Sequence, residues 1–227
     1  MHIVDPHIDI EIHPLQPFLP AGARLLLLGS FPPPRARWCM DFFYPNPQND
    51  MWRIIGQVFY GDKMRFVEKR VRTTTLKGQE SMTMFRYEAI VEFCTEKGIA
   101  IYDTAQSVRR LQGNAADEHL EIIEPTDIAA LLRQIPDCHD ICCTGQKAAD
   151  TLTEQLGCNV PKVGSYVEVQ FPVHENANAN HRITAEQPLT TRHLRFWRMP
   201  SSSRAYPLSI DNKAAAYQHM MQTIGMV

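Results

Sequence analysis

Leu25-Leu26-Leu27-Leu28-Gly29-Ser30-Phe31-Pro32-Pro33-Pro34, continued by RARWCMDFFYPNPQN to Asn49, decides the reading of this chain. Four consecutive leucines show no alternation of apolar and polar residues, so they read as a strand covered on both faces, as in a parallel sheet beneath helices. Three prolines can neither pair in a sheet nor enter a helix interior, which forces a shaped loop at the strand's carboxyl end. That is where open α/β sheets bind ligands. The loop ends at Asn49, a residue type that caps helices, and Met51, Trp52, Ile54, Ile55, Val58 and Phe59 then recur at helical spacing. A candidate site therefore begins here.

Outward from this stretch, residues 1–23 are interrupted by prolines and read as an arm packed on the domain ahead of the first strand. Residues 61–78 are basic and polar, with Arg72 to Thr75 as loop, and 80–97 show helical periodicity through Met84, Tyr87, Ile90, Val91 and Cys94 before Gly98. Ile99 to Tyr102 reads as a short strand ending in Asp103, a carboxylate that either orients a site or caps a loop. Residues 105–125 look irregular. Thr126-Asp127 cap a helix that carries Ile128, Leu131, Leu132 and Ile135. Asp140 to Thr144 is a further strand, followed by a helix through Ala148, Ala149, Leu152 and Leu156 that Gly157 closes. Tyr166 to Pro172 is another strand. Residues 173–193 form a polar, Asn-rich insertion loop, either functional or a tolerated surface addition. Arg195 to Met199 is the last strand, delivering Pro200-Ser201-Ser202-Ser203-Arg204 at its end, and Asp211 opens the terminal helix. Strands alternating with helices, with no repeat and no linker, indicate one α/β domain over residues 1–227.

A chain of 227 residues, 44% hydrophobic, is long enough for one sizeable core. Its net charge of −2 is less basic than a nucleic-acid binder usually carries. Positive charge is instead local, at Arg35 and Arg37, from Lys63 to Arg72, and at Arg192, Arg195, Arg198 and Arg204. Each of these is either a phosphate contact or part of a solvated face. Six cysteines form no CxxC pair and nine histidines no HxH or HxxxH pair, so no metal or other cofactor is expected. No leader segment and no apolar run near a membrane span are seen, so a soluble, cytoplasmic protein with reduced thiols is expected. No GxSxG elbow, P-loop or GxGxxG follows any strand, which weighs against an unrelated hydrolase or transferase.

Gly29-Ser30-Phe31-Pro32 with Phe43-Tyr44-Pro45-Asn46-Pro47-Gln48-Asn49-Asp50-Met51-Trp52 resembles the first motif of the uracil-DNA glycosylase superfamily, closest to its mismatch-specific thymine/uracil and hypoxanthine-DNA glycosylase branches. Met199-Pro200-Ser201-Ser202-Ser203-Arg204 resembles the thymine-DNA glycosylase form of the second motif, and the two stand in family order. The resemblance implies a three-layer α/β/α sandwich with a central, mainly parallel four-stranded sheet. It also implies a DNA repair enzyme that flips a deaminated base, uracil, hypoxanthine or similar, out of DNA; a monomer is expected. The N-glycosidic bond is then hydrolysed to leave an abasic site.

On that resemblance Asn49 and Ser30 are the candidates for holding the attacking water. Phe31, Phe43, Tyr44 and Thr144 are the candidates for the base pocket. Pro200, Ser201, Ser202, Ser203 and Arg204 are the candidates for the DNA backbone, with Arg204 on the wedge loop. Each has a plainer alternative: Asn49 a helix cap, Tyr44 a loop aromatic packed on the core, the serines a flexible loop. Two departures matter. Ser30 stands where many relatives carry Asn or Asp, which leaves open a member that binds damaged or mismatched DNA and cuts weakly or not at all. Thr144-Gly145-Gln146 stands where relatives carry a triplet such as Asn-Gly-Lys, and a hydroxyl cannot make the two-point contact of an amide.

Overall fold

The computed structural model describes residues 9–74, 78–111, 119–173 and 190–227. In order, the elements are β1 (Ile10–Ile12), β2 (Leu25–Gly29), α1 (Met51–Tyr60), β3 (Val67–Thr74), β4 (Gly78–Phe85), α2 (Tyr87–Lys97), β5 (Ile99–Asp103), β6 (Ala105–Arg110) and β7 (Leu120–Pro125). They continue with α3 (Ile128–Gln134), β8 (Asp140–Thr144), α4 (Gln146–Leu156), β9 (Ser165–Val173), β10 (Thr190–Met199) and α5 (Ile210–Thr223).

The four leucines form β2, buried along its whole length. It pairs in parallel with β5 on one side and β8 on the other, and β8 pairs in parallel with β10. β2 and β8 are flanked by strands on both sides, and β5, at the edge, is bridged through Ile101 to Phe18 of the arm; with helices over them, all three are buried and carry no alternation. The main sheet has five strands, in the order β5-β2-β8-β10-β9, rather than four. The fifth, β9, is antiparallel to β10 at the edge, and its alternating exposure is that of a strand with one wet face. Helix α1 packs against α5, α2 against β5 and α4 against β8.

Several local expectations are corrected. Residues 67–74, read as a basic polar stretch with loop from Arg72, and 78–85, read as partly helical, form the antiparallel hairpin β3–β4, and α2 starts only at Tyr87. Residues 105–110 and 120–125, read as irregular, are β6 and β7, which pair with each other and with β1 of the arm. Their pattern is hidden because β6 buries polar side chains. Arg110 donates to the Pro32 carbonyl at 2.6 Å and to Glu11 at 2.8 Å, so an arginine occupies an inward position. Residues 190–193, assigned to the insertion loop, begin β10, and residues 174–189 of that loop lie outside the described residues.

The arginines of β10 hold the fold. Arg192 is buried and donates to the carbonyls of Leu132 and Ile135 at the end of α3, at 3.0 and 3.2 Å. Arg195 pairs with Asp140, which also accepts the Trp197 indole N–H at 2.9 Å. The six cysteines are free. Burial pushes the Cys138 thiol up to about 12 and that of Cys142 well above its ordinary value, as suits inert core residues. Among the described residues no helix is long and apolar enough to cross a membrane, and no three His, Cys, Asp or Glu side chains converge as a metal site.

Candidate functional site

Because β2, β5, β8 and β10 run parallel, Gly29, Asp103, Thr144 and Met199 end at one edge of the sheet. The loops leaving that edge enclose a cleft of about 660 Å³. Gly29, Asp103 and Thr144 form its floor. Ser30, Phe31, Phe43, Tyr44 and Asn49 line it from the proline-rich loop, and Ser201, Ser202, Ser203 and Arg204 from the loop after β10. Ten of the eleven residues singled out from sequence thus face one cavity. Pro200 does not line it, and its carbonyl accepts the buried Tyr217 hydroxyl at 3.0 Å.

The two loops are joined through backbone. Asn49 and Ser203 form an antiparallel bridge, and the Asp50 N–H donates to the Ser202 carbonyl at 2.9 Å. Asn49 does not cap α1 in the expected way. Asp50 occupies the cap position, and Asn49 Oδ1 instead accepts the Met51 N–H at 2.9 Å, an Asx turn one residue earlier. The Asp50 side chain makes no cap bond because its carboxylate is engaged elsewhere. One oxygen lies 2.9 Å from Arg204 Nε and the other 3.7 Å from Lys213 Nζ. Lys213 is buried and also donates to the Ser203 carbonyl at 2.7 Å. Desolvation pulls its pKa below the ordinary lysine value, and the Asp50 carboxylate opposes that pull.

Tyr44 has φ of 50°, a left-handed conformation rare for a bulky residue and frequent at functional loops. Its ring meets Trp52 edge-on at 6.3 Å, and its hydroxyl lies 3.2 Å from Thr144 Oγ1. Burial, and then the charge of Asp103, raise its pKa well above the ordinary tyrosine value, so the phenol keeps its proton. Phe43 is a core residue, its ring 5.2 Å from Phe42 and 6.1 Å from Tyr102, with one edge reaching the cleft. Phe31 packs with Ala105, Val108 and Leu120 in a small second core that fixes the loop onto the β1–β6–β7 sheet. In the serine loop, Ser201 Oγ accepts the Ser203 N–H and Ser203 Oγ the Ala205 N–H, both at 3.2 Å. Hydroxyls that accept in such turns still have a proton to donate.

No family model matches the chain, and no curated protein matches it. Among solved structures it is similar to the solution NMR structure of a candidate uracil DNA glycosylase from Methanosarcina acetivorans, with a TM-score of 0.51 and 17% identity over 92% of this chain and 98% of that one. The two chains share a fold. At that identity the likeness concerns the fold alone, an α/β domain with a mostly parallel sheet.

Two residues just behind the cleft lining carry no strong sequence signal. Asp50 was legible only as a neighbour of Asn49. His13 lies in the N-terminal arm, and its Nε2 is 2.9 Å from Asp103 Oδ2. Nothing local marks it, because its partner is distant in sequence. Gly29 is required here by close approach: a Cβ at that position would lie 2.3 Å from Asp103 Oδ1. The carboxylate can yield only by leaving His13, so Gly29→Ala is expected to cost about 1–3 kcal/mol, read as a lower urea midpoint. Most of that loss should vanish in an Asp103→Ala background. An unchanged midpoint for the single variant would show that the carboxylate is not held over Gly29.

Proposed function

We propose that this protein is a monofunctional DNA glycosylase that binds DNA, receives an extruded deaminated base in the cleft at the carboxyl edge of the sheet, and hydrolyses its N-glycosidic bond. One observation carries this reading. The proline-rich loop from Ser30 to Asn49 and the serine loop from Ser201 to Arg204, far apart in sequence, meet around a single cleft and are bridged at Asn49 and Ser203. That juxtaposition supports a division of labour between base and backbone. Tyr44, Phe43 and Phe31 offer aromatic surface and Thr144 a hydroxyl to a flipped base. Ser201, Ser203 and Arg204 offer proton donors to the flanking phosphates. Backbone amides of the Ser30–Phe31 turn stabilise the base as it leaves with its electron pair. Asn49, with Ser30, orients the water. The fold shared with the Methanosarcina acetivorans protein is consistent with this assignment.

Duplexes carrying uracil, hypoxanthine, xanthine or a thymine mismatch, treated with the protein and then with alkali, test it. Strand cleavage at one or more of these bases is expected, with none at normal pairs. Tight binding to a damaged duplex without cleavage would instead identify a damage-binding protein. Thr144 contributes one hydroxyl already shared with Tyr44, so hypoxanthine excision is expected to match or exceed uracil excision. Thr144→Asn supplies the second contact and is expected to raise relative uracil activity by about 1–3 kcal/mol of discrimination. Wild-type protein that strongly prefers uracil would overturn this account of specificity.

A further inference from the structure

Hydrolysis needs more than a positioned water. The proton that the water loses must have an acceptor, and neither the amide of Asn49 nor the hydroxyl of Ser30 is a base near neutral pH. Among the described residues lining the cleft, the charged side chains are Arg37, Arg204 and Asp103, so Asp103 is the one carboxylate. We propose that Asp103 is the general base of this site and that His13, delivered by the N-terminal arm, is its positioning residue. This rests on the glycosylase reading above.

The geometry divides the carboxylate into a held oxygen and a working one. Oδ2 lies 2.9 Å from His13 Nε2, and both side chains are almost fully buried. With Asp103 ionised, Nε2 carries the proton it donates. Nδ1 lies against the backbone of Leu15, 2.9 Å from its carbonyl and 3.2 Å from its N–H, and the ring packs 4.6 Å from Tyr102 and 5.3 Å from Phe31. The arm is itself fixed, because β1 pairs with β6 and the His13 N–H donates to the Gln106 carbonyl at 2.7 Å. Oδ1 is turned the other way, over the bare Cα of Gly29 on the cleft floor. The Tyr44 hydroxyl approaches the same spot, 3.5 Å from where a Gly29 Cβ would sit. A carboxylate fixed through one oxygen by a buried imidazole, with the other over a glycine in a cleft, suits proton acceptance and stabilises positive charge on the sugar.

The step balances without a further reactant. The water oxygen bonds to C1′ of the sugar as the C1′–N bond breaks and its electron pair leaves with the base. The water's proton passes to Asp103 Oδ1, and from there to the departing base or to solvent. The products are an abasic site and the free base.

The full-length chain provides the test, with a duplex that the wild type cuts as substrate and a duplex containing a tetrahydrofuran abasic-site analogue as binding probe. Asp103→Asn keeps the shape and is expected to lower single-turnover excision about 100-fold while abasic-duplex affinity is unchanged. Asp103→Ala in formate buffer is expected to regain activity, since formate can occupy the vacated position and accept the proton. His13→Gln keeps an N–H to hold Oδ2 and is expected to retain more of the rate than His13→Phe, both binding the abasic duplex normally. Should Asp103→Asn not fold, this His13 pair decides. Folded Asp103→Asn cutting at the wild-type rate overturns the proposal. So does parallel loss of rate and binding in both His13 variants, which would make the pair a pin for the arm. Failure of the wild type to cut any duplex of the panel would overturn the glycosylase reading and this role together.

Discussion

Asn49→Ala is expected to lower single-turnover excision by about 10³-fold, the order lost when a preorganised polar group at a reacting centre is removed. The side chain stands on the cleft wall, fixed by the Met51 N–H bond to Oδ1 and by its backbone bond to Asn46. Losing the Asx turn should cost only about 1 kcal/mol, so the variant should remain folded and bind an abasic-site duplex. Asn49→Asp keeps the acceptor for Met51 and should match the wild type in thermal stability. The control is Asn46→Ala. Asn46 also lines the cleft and its Oδ1 accepts the Gln48 N–H at 3.0 Å, yet it is not among the residues proposed to orient the water, so the rate should be largely preserved. Folded Asn49→Ala cutting near the wild-type rate would reduce Asn49 to a turn residue and leave Ser30 as the candidate for orienting the water.

The second large effect is on stability. Asp50→Ala is expected to cost about 3–5 kcal/mol, because it strands the Lys213 ammonium, whose side chain is 1% exposed. It also frees Arg204 from its 2.9 Å bond and loosens the serine loop that the Lys213–Ser203 contact holds. Urea denaturation should show the loss. Lys213→Met in the same background should recover part of it, because an apolar side chain needs no counter-charge, and the two changes should therefore not be additive. A cost below about 1 kcal/mol, typical of exposed ion pairs, would mean that Asp50 and Lys213 are not coupled in a dry environment.

What could be read directly from sequence was local. Leu25–Leu28 announces a strand covered on both faces, and the prolines after it announce a loop at the strand end, because each rests on backbone sterics and burial within a few residues. Helix limits at Asp127, Gly98 and Gly157 follow from caps and left-handed glycines in the same way. The hairpin β3–β4 and the strands β6 and β7 were not readable. β3, β6 and β7 are charged without sustained alternation, β4 alternates only around Met82 and Met84, and strands of that kind exist only because a partner supplies their hydrogen bonds. The family-like motifs told which loops belong together but not how they are tied.

That tying was decided by tertiary structure. The sequence by itself determined the central strands, the loops at their ends and the residue types offered there. Only the folded chain brings His13 against Asp103 and Asp50 against Arg204 and Lys213. The physical reason is distance along the chain. Charge pairing and hydrogen bonding act through space, and no periodicity or cap links residues that topology alone makes neighbours.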